Sequence, residues 1–593
     1  MRDDLAGLKL LFGTAAKVAP DRLFLALLQT LGSSLTALNP WWAGLLVGAA
    51  VAADTTAAAV AVTGLVVTAA IGWILGLVGG EARVTLAERV SFALDRRIAV
   101  LTATITTLTH HERPDFVDQV QVLRRNRGIL GGGLSSMLHG IDSALSAVII
   151  LVLAAAVDPR LLLVAFTAVP PLLAARLRHR WIESAENESA PYGRLAEHYQ
   201  GVTTNPATGM EIRVFGLQHE ILRRLHDAGT RRELPLIRAI AKTARLRLAE
   251  DAVFALVLTG VLGWLITTAG PDTAASIAVA VVAARQIQTV VVQAVHGFSG
   301  EGGLVDTLRT LRRFLWLQTY ADTQKPPNAT LPAPDELTDG IAVRNATFTY
   351  HGASRPSIEN LTVTLPAGKI VAVVGENGAG KTTLAKLLTG MHHLDSGAIQ
   401  VDHTPLNRLD IDDWRRRTSA AFQDHTRFEL TAQYSIGIGQ HDEADNAAAV
   451  LAAARRADAD RLITTLPDGL DTQLGSQWPH GRDLSGGQWQ TLALARSQMR
   501  PQPLLLILDE PTAALDAHAE HDLFQRFAAA SDAARRRGGI TLLVTHRFNT
   551  IQGADLILVL HQGQLIEAGT HTQLMDRRGH YAELYQLQAS GYQ

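Results

Sequence analysis

An α-helical domain of six membrane-crossing helices, followed by an α/β domain built on a phosphate-binding loop, is the fold class this sequence predicts. Three observations predict it. Apolar residues make up 47% of the chain, and the long apolar stretches are concentrated in the first 320 residues. There, six apolar runs pair off across very short connections. Beyond residue 340, strands alternate with helices around the stretch GENGAGKTT, as in a parallel α/β domain. A chain of 593 residues also exceeds what one hydrophobic core usually serves. The net charge of −2 gives no global sign of a nucleic-acid binder. The absence of cysteine excludes disulfides, thiolate metal sites and a cysteine nucleophile.

LFLALLQTLGSSLTALNPWWAGLLVGAAVAA (23–53) and AAAVAVTGLVVTAAIGWILGLVGG (57–80) predict the first pair of helices. LSSMLHGIDSALSAVIILVLAAAV (134–157) predicts the third, and LLLVAFTAVPPLLAA (161–175), short and holding Pro170-Pro171, the fourth. DAVFALVLTGVLGWLITTAG (251–270) and AASIAVAVVAARQIQTVVVQAV (274–295) complete the set. Roughly 20 apolar residues cross a bilayer's hydrocarbon as a helix, and three apolar hairpins suit a soluble core poorly. Segments 81–128 and 176–250 are arginine-rich and keep helical spacing, whereas the connections at 54, 158–160 and 271–273 carry one arginine between them. By the positive-inside rule the long basic loops and both termini are expected to be cytoplasmic, in a multi-pass protein of the cell membrane. No small-residue cleavage site follows a short apolar core at the N-terminus, and LAGLKLLF (5–12) reads as a short surface helix. DTQKPPNATLPAPDEL (322–337) is a proline-rich polar linker. The expected division is therefore a membrane domain over 1–320, a linker over 321–340 and an α/β domain over 341–593.

In the second half, KIVAVVGENGAGKTTLAKLLTG (369–390) reads as strand, loop and helix. Gly375, Gly380, Lys381 and Thr382 fit the G-x-x-x-x-G-K-[ST] cradle. Its backbone N–H groups, from Gly375 through Glu376, Asn377, Gly378 and Ala379 to Gly380, are expected to close around phosphate. The helix start at Lys381, Thr382 and Thr383 adds its positive dipole end. Lys381 would reach the β and γ phosphates, and Thr382 would ligate Mg²⁺. LLLILDEPT (504–512) is an apolar strand ending in two carboxylates. Strand C-termini are where open α/β sheets bind ligands, so Asp509 suits the Mg²⁺ shell and Glu510 suits a general base for water. GITLLVTHR (539–547) delivers His546 to the same kind of position. A lone histidine there is more often a turn or core residue, and Gln423 in SAAFQDH (419–425) means nothing by itself.

Taken together and in order, these stretches resemble the ABC transporters, over about 341 to 588. Tyr350 in FTY, 25 residues before Gly375, is similar to the aromatic that stacks on adenine. GENGAGKT resembles Walker A, and Gln423 the Q-loop glutamine that ligates Mg²⁺ and faces the membrane domain. LSGGQ (484–488) matches the signature motif residue for residue. Asp509 and Glu510 resemble Walker B and its adjoining glutamate, Ala514-Leu515-Asp516 the D-loop, and His546 the switch histidine at the γ phosphate. The resemblance implies that ATP is bound with Mg²⁺ held by Thr382, Gln423 and Asp509, and that Glu510, His546, Lys381 and Gln423 carry catalysis. It also implies that Ser485, Gly486, Gly487 and Gln488 cap the ATP held by a partner cassette, so that two copies form two composite sites. One membrane domain before one cassette resembles an exporter-type half-transporter: an ABC exporter-like six-helix domain, then a P-loop ATPase cassette with an α-helical subdomain. Its implied partners are the lipid bilayer, a second copy or a related half-transporter, and a transported small amphipathic molecule, lipid or peptide; nucleic acid is not among them. An importer on the same fold, or an ATP-dependent membrane sensor, would share this chemistry.

Ionisable and amide residues inside the spans are expensive and often functional. His139 and Asp142 in the third run, and Arg285, Gln286 and Gln293 in the sixth, are of this kind, and Asp142 is expected to pair with Arg285. NPATGMEIRVFGL (205–217) and THHERPDF (109–116) resemble coupling regions and are expected to dock near Gln423. Two departures from the family lie close to such contacts. Thr472 to Trp478 lacks the usual glutamate, and Tyr434-Ser435-Ile436 replaces the usual E-N-I.

Overall fold

A computed structural model describes residues 2–157, 159, 162, 169–268, 273–299, 303–324, 330–510, 534–546 and 551–590. The chain divides into two compact units: Met1–Thr102 with Gln119–Thr319, and Ala103–Asp118 with Tyr320–Gln593.

The first unit is helical. It contains α1 (Arg2–Val18), α2 (Pro20–Ser33), α3 (Asn39–Val51), α4 (Thr55–Ala103), α5 (Pro114–Arg125), α6 (Arg127–Val157), α7 (Val169–Thr204), α8 (Pro206–Val214), α9 (Gln218–Thr268), α10 (Thr273–Ser299) and α11 (Leu304–Thr323), with α5 and the ends of α4 and α11 reaching into the second unit. Among the described residues, Pro20–Val51, Thr55–Ala103 and Gly128–Leu153 are long and apolar enough to cross a membrane, and Ile277–Val291 is a shorter apolar stretch. The fourth run and the connections at 158–160 and 271–273 lie largely outside the described residues. With 49 residues, α4 is about 70 Å long at 1.5 Å per residue. That is over twice the roughly 30 Å of bilayer hydrocarbon, so the helix continues through the basic segment after its apolar half.

The first apolar run is not one α-helix. Between α2 and α3 the chain tightens into a 3₁₀ turn over Ser34–Leu38. Ser33, Ser34 and Thr36 hydroxyls bond back to carbonyls at Gln29, Leu31 and Ser33, and Pro40 supplies no N–H to the turn before it.

Small residues on α10 (Ala280, Ala283, Ala284) pack with Ile150 of α6 and Val261 of α9, letting these helices approach closely. Gln286 donates to the Thr36 carbonyl at 2.8 Å, so its amide satisfies the 3₁₀ turn. Arg178 of α7 grips the buried Glu250 of α9 through both carboxylate oxygens, at 2.6 and 2.8 Å. The expected partnership of Asp142 with Arg285 is not what forms. Asp142 faces Arg83 of α4 and the Ser33 hydroxyl instead. Arg83 is itself buried, 2.8 Å from the His139 imidazole and 2.9 Å from the Thr30 hydroxyl. A lone arginine past the end of a run carried no sequence signal that it would turn inward.

The second unit holds two sheets. Strands β1 (Gly340–Phe348), β2 (Ile358–Pro366), β4 (Ser396–Val401) and β5 (Thr404–Pro405) form an antiparallel sheet in the order β2-β1-β4-β5. The second sheet runs β10-β9-β3-β8-β7-β6, from β3 (Ile370–Val374), β6 (Thr418–Ala421), β7 (Leu505–Asp509), β8 (Ile540–Val544), β9 (Leu556–His561) and β10 (Gln564–Gly569). All its pairings are parallel except β10 with β9. Strands β7 and β8 are buried at every residue, as parallel strands covered on both faces must be. Helix α12 (Lys381–Leu388) follows β3, and α13 (Ile411–Arg416) precedes β6. A helical subdomain of α14 (Ala432–Gly437), α15 (Ala447–Arg456), α16 (Asp460–Thr465) and α17 (Gly486–Ser497) sits between β6 and β7 in sequence, closed around Trp489 and Leu492.

Segment Ala103–Asp118 belongs to this second unit. It is tied to the backbone just beyond the C-terminal end of α12. Leu108 N–H donates to the Met391 carbonyl at 2.8 Å, and Arg415 donates to the Thr106 and Gly390 carbonyls at 2.6 and 2.9 Å. His110 and His392 are both buried here. Burial first, then a neighbouring basic side chain (His111 beside His110, Lys386 beside His392), lowers each imidazole to about 4. A folded value below the unfolded one near 6.5 means the neutral ring is favoured on folding. The stability this contributes is present above pH 6.5 and lost as pH falls toward 4. The melting temperature of the detergent-solubilised chain is therefore expected to drop across that window, and less steeply in His110→Phe. Equal slopes by differential scanning fluorimetry would refute the assignment.

Candidate nucleotide site

The C-terminal ends of β3, β6, β7 and β8 lie side by side and deliver the chemistry to one edge of the sheet. Gly375 leaves β3 with φ +150°, where a Cβ would come within 2.1 Å of the Leu560 carbonyl oxygen. Gly380, at φ +98°, starts α12 in a left-handed conformation with the Ser357 carbonyl 2.5 Å from an added Cβ. Both positions demand glycine, and the loop between them is held by Ala379 N–H donating to the Glu376 carbonyl. Glu376, Asn377 and Gly378 are exposed, while Lys381 and Thr383 are buried. The Lys381 ammonium is held inside the loop by the Gly375 and Glu376 carbonyls at 2.8 and 3.0 Å.

Asp509 ends β7, 2% exposed, and neither carboxylate oxygen has a hydrogen-bond partner. Burial first, then the neighbouring Glu510, pushes its carboxyl above the usual carboxylate range, against the pull of Thr382 and Lys381. Burial likewise lowers Lys381, against the attraction of Glu510 and Asp509. A phosphate against Lys381 and a divalent cation against Asp509 would each oppose the effect of burial. The orphaned carboxylate, with the neighbouring Thr382 hydroxyl, fits Mg²⁺, which takes few protein oxygens and completes its shell with phosphate and water. Among the described residues no cluster of three or more His, Asp or Glu offers an all-protein metal cage.

Glu510 follows with φ +49°, a costly conformation for a residue with a side chain. It is pinned by its N–H to the Val544 carbonyl at 2.9 Å and by Gln490, whose amide donates to the Glu510 carbonyl at 3.1 Å. The Glu510 carboxylate accepts from Nδ1 of His546 at 3.0 Å. Gly375, Glu376, Asn377, Gln423, Glu510 and His546 line one open cleft of about 730 Å³, together with Leu584 and Leu587. Tyr350 stands off this cleft, its hydroxyl 3.2 Å from that of Thr383.

LSGGQ is placed elsewhere: none of its residues lines the cleft. Ser485 caps α17 and accepts from Gln488 N–H, while the Gln488 side chain accepts from Ser485 N–H at 2.9 Å. Both polar side chains are thus spent on presenting the start of α17, where Ser485 and Gly486 are exposed, Gly487 is half-buried and Gly486 has open space around it. Asp516 and the rest of Ala514-Leu515-Asp516 lie outside the described residues. Sequence reasoning missed Gln490, Leu584 and Leu587. Gln490 stood beside the signature, but its bond to a carbonyl twenty residues on is a tertiary contact. The two leucines come from the last helix, His580–Ser590, whose pattern is that of any packed helix.

Residues 358–513 match the family described as ABC transporter. The ATP-dependent lipid A-core flippase of Nitrosococcus oceani is 40% identical over 248 residues, 42% of this chain and 40% of that protein. The mitochondrial iron-sulfur clusters transporter ATM1 of Gibberella zeae is 38% identical over 252 residues, 42% of this chain and 34% of its own length. The matches thus span about two fifths or less of these curated relatives. A bacterial Atm1-family ABC exporter with ATP bound superposes with a TM-score of 0.79 at 24% identity, covering 97% of this chain and 99% of that one. Residues 358–513 thus match the ABC transporter family, and the chain takes the fold of an ABC exporter.

Proposed function

We propose that the chain is one half of an ATP-driven membrane exporter, hydrolysing ATP at an interface between two cassettes and moving a small amphipathic molecule, lipid or peptide. The observation that carries this reading is the separation of the two phosphate-sized motifs. The cleft gathers Gly375, Glu376, Gln423, Glu510 and His546 beside the loop that holds Lys381, while no residue of LSGGQ lines it and the start of α17 is exposed. A second copy, or a related half-transporter, brings its own Ser485, Gly486 and Gly487 N–H groups to the nucleotide. The names of the relatives, a lipid flippase and a cluster transporter, support transport without fixing the cargo.

In this scheme the loop amides and Lys381 hold the phosphates in line for attack. Glu510 takes a proton from the attacking water, its carboxylate aimed by His546 and its backbone by Gln490. Thr382, Gln423 and Asp509 would hold Mg²⁺, which would supply positive charge against the phosphate oxygens. Tyr350 stacks on the base. Tyr350→Ala is expected to raise the KM for ATP about two- to tenfold with little loss of kcat, from lost stacking. An unchanged KM would remove Tyr350 from the site.

The decisive test is purified chain in liposomes, measuring ATP hydrolysis stimulated by a panel of amphipathic compounds and lipids alongside ATP-dependent flux. Export is expected. Hydrolysis with no flux would favour a sensor, and accumulation on the cassette side would favour an importer.

A further inference from the structure

Tyr350 is enclosed by α12 and by the turn that follows it. Its hydroxyl meets Thr383 at the start of the helix, next to the phosphate loop. One turn later the Lys386 ammonium lies 5.7 Å from the ring centroid, within cation–π range. Beyond the helix the His392 ring stands edge-on to Tyr350 at 5.5 Å and is tilted against Phe348 at 4.9 Å. The His392 side chain has no exposed surface, and its Nε2 lies 3.4 Å from a Glu112 oxygen without hydrogen-bond geometry. Glu112 is on the short 3₁₀ turn Thr109–Glu112 of the segment Ala103–Asp118. That segment is tied to the same stretch of backbone. The carbonyls of Leu388, Thr389, Gly390 and Met391 accept from Trp414, Arg415 and Leu108, with Arg415 also holding Thr106.

One short helix and its following turn therefore carry the phosphate lysine at one end and the docked segment at the other. The aromatic Tyr350 is wedged between them. We propose that His392 is a positioning residue: it fixes the Tyr350 ring for the nucleotide base and, through Glu112, makes the docking of segment Ala103–Asp118 respond to whether that base is present. This rests on the reading of the cleft as an ATP site. Its mechanical logic is that a residue packed on two partners cannot follow one without loading the other. A base settling on Tyr350 shifts or stiffens the ring. His392, wholly buried, has no solvent into which to relax, and Glu112 receives the displacement.

The test uses the full-length chain in nanodiscs, with AMP-PNP as the probe, hydrogen–deuterium exchange of peptides covering 103–118, and steady-state ATP hydrolysis. In the wild type, AMP-PNP is expected to increase protection of 103–118. His392→Leu is expected to raise the KM for ATP about two- to tenfold through loss of the aromatic edge contact, and to abolish that protection change at saturating AMP-PNP. Combined with Tyr350→Leu it should add nothing further to KM, since both act on one contact. Glu112→Ala is expected to split the two readouts, losing the exchange response while KM stays within twofold. A purely structural role would lower the melting temperature of both variants without this split. Retained protection in His392→Leu or in Glu112→Ala, or additive KM effects, would overturn the inference while leaving the nucleotide site standing. Failure of the wild type to bind AMP-PNP would overturn both.

Discussion

Glu510→Gln is expected to cut steady-state ATP hydrolysis by about 10²- to 10⁴-fold while leaving nucleotide binding intact. The substitution is close to isosteric. It keeps the side chain's length, its acceptor oxygen for His546 Nδ1 at 3.0 Å, and the backbone bonds to Val544 and Gln490 that hold the left-handed conformation. What it removes is the basic lone pair that takes the proton from water. Loss of the phosphates' hold is not expected, because Lys381 and the loop amides are untouched. The dimer should consequently accumulate with ATP trapped, visible as a nucleotide-dependent shift to the two-cassette species on size exclusion. Phosphate release within tenfold of wild type would remove Glu510 from the chemistry. A parallel loss of binding would instead point to a collapsed turn, since φ +49° leaves little tolerance there.

The parts of this site that were legible in the sequence are those whose chemistry is local. A phosphate loop needs glycines at fixed spacing between a strand and a helix, and Gly375 and Gly380 take the left-handed or crowded positions that only glycine fills. Strand C-termini converge in any parallel sheet, so Asp509, Glu510 and His546 followed once the strands were recognised. The long apolar runs were legible for the same reason: crossing a bilayer is a matter of composition and length. What stayed hidden depends on partners distant in sequence. Arg83 read as one more basic residue of a loop, yet it turns inward to His139 and Thr30, and Asp142 faces it in preference to Arg285. THHERPDF was placed on the second unit, but its contact with the end of α12 needed Met391 and Arg415, neither marked by any motif. The 3₁₀ turn in the first run was spelled out by Ser33, Ser34, Thr36 and Pro40, though a hydropathy window averages such residues away.

A site shared between two copies, as proposed, makes its own prediction, and it separates two ways of using the same residues. Lys381→Ala removes the phosphate grip from one chain, and Ser485→Glu places a negative charge where that chain would cap a phosphate. Each homodimer should be inactive, falling by roughly 10²-fold or more as preorganised charge stabilisation is lost. Now the two variants are co-expressed with different tags and the mixed dimer is isolated by tandem affinity. If a cap serves the partner's cradle, one of the two sites contains Lys381 from the second chain and Ser485 from the first, both unaltered. The other site carries both lesions. Hydrolysis should therefore return to about half the wild-type rate per dimer, because a two-fold assembly has two equivalent sites and one is restored. If instead Ser485 closed on the cradle of its own chain, every site in the mixed dimer would hold one lesion and activity would stay at the level of the parents. The cleft lined by Glu376, Gln423 and Glu510 without any residue of LSGGQ favours the first outcome. The capping box that spends Ser485 and Gln488 on the start of α17 leaves that helix end rigid and outward, ready to meet a second surface.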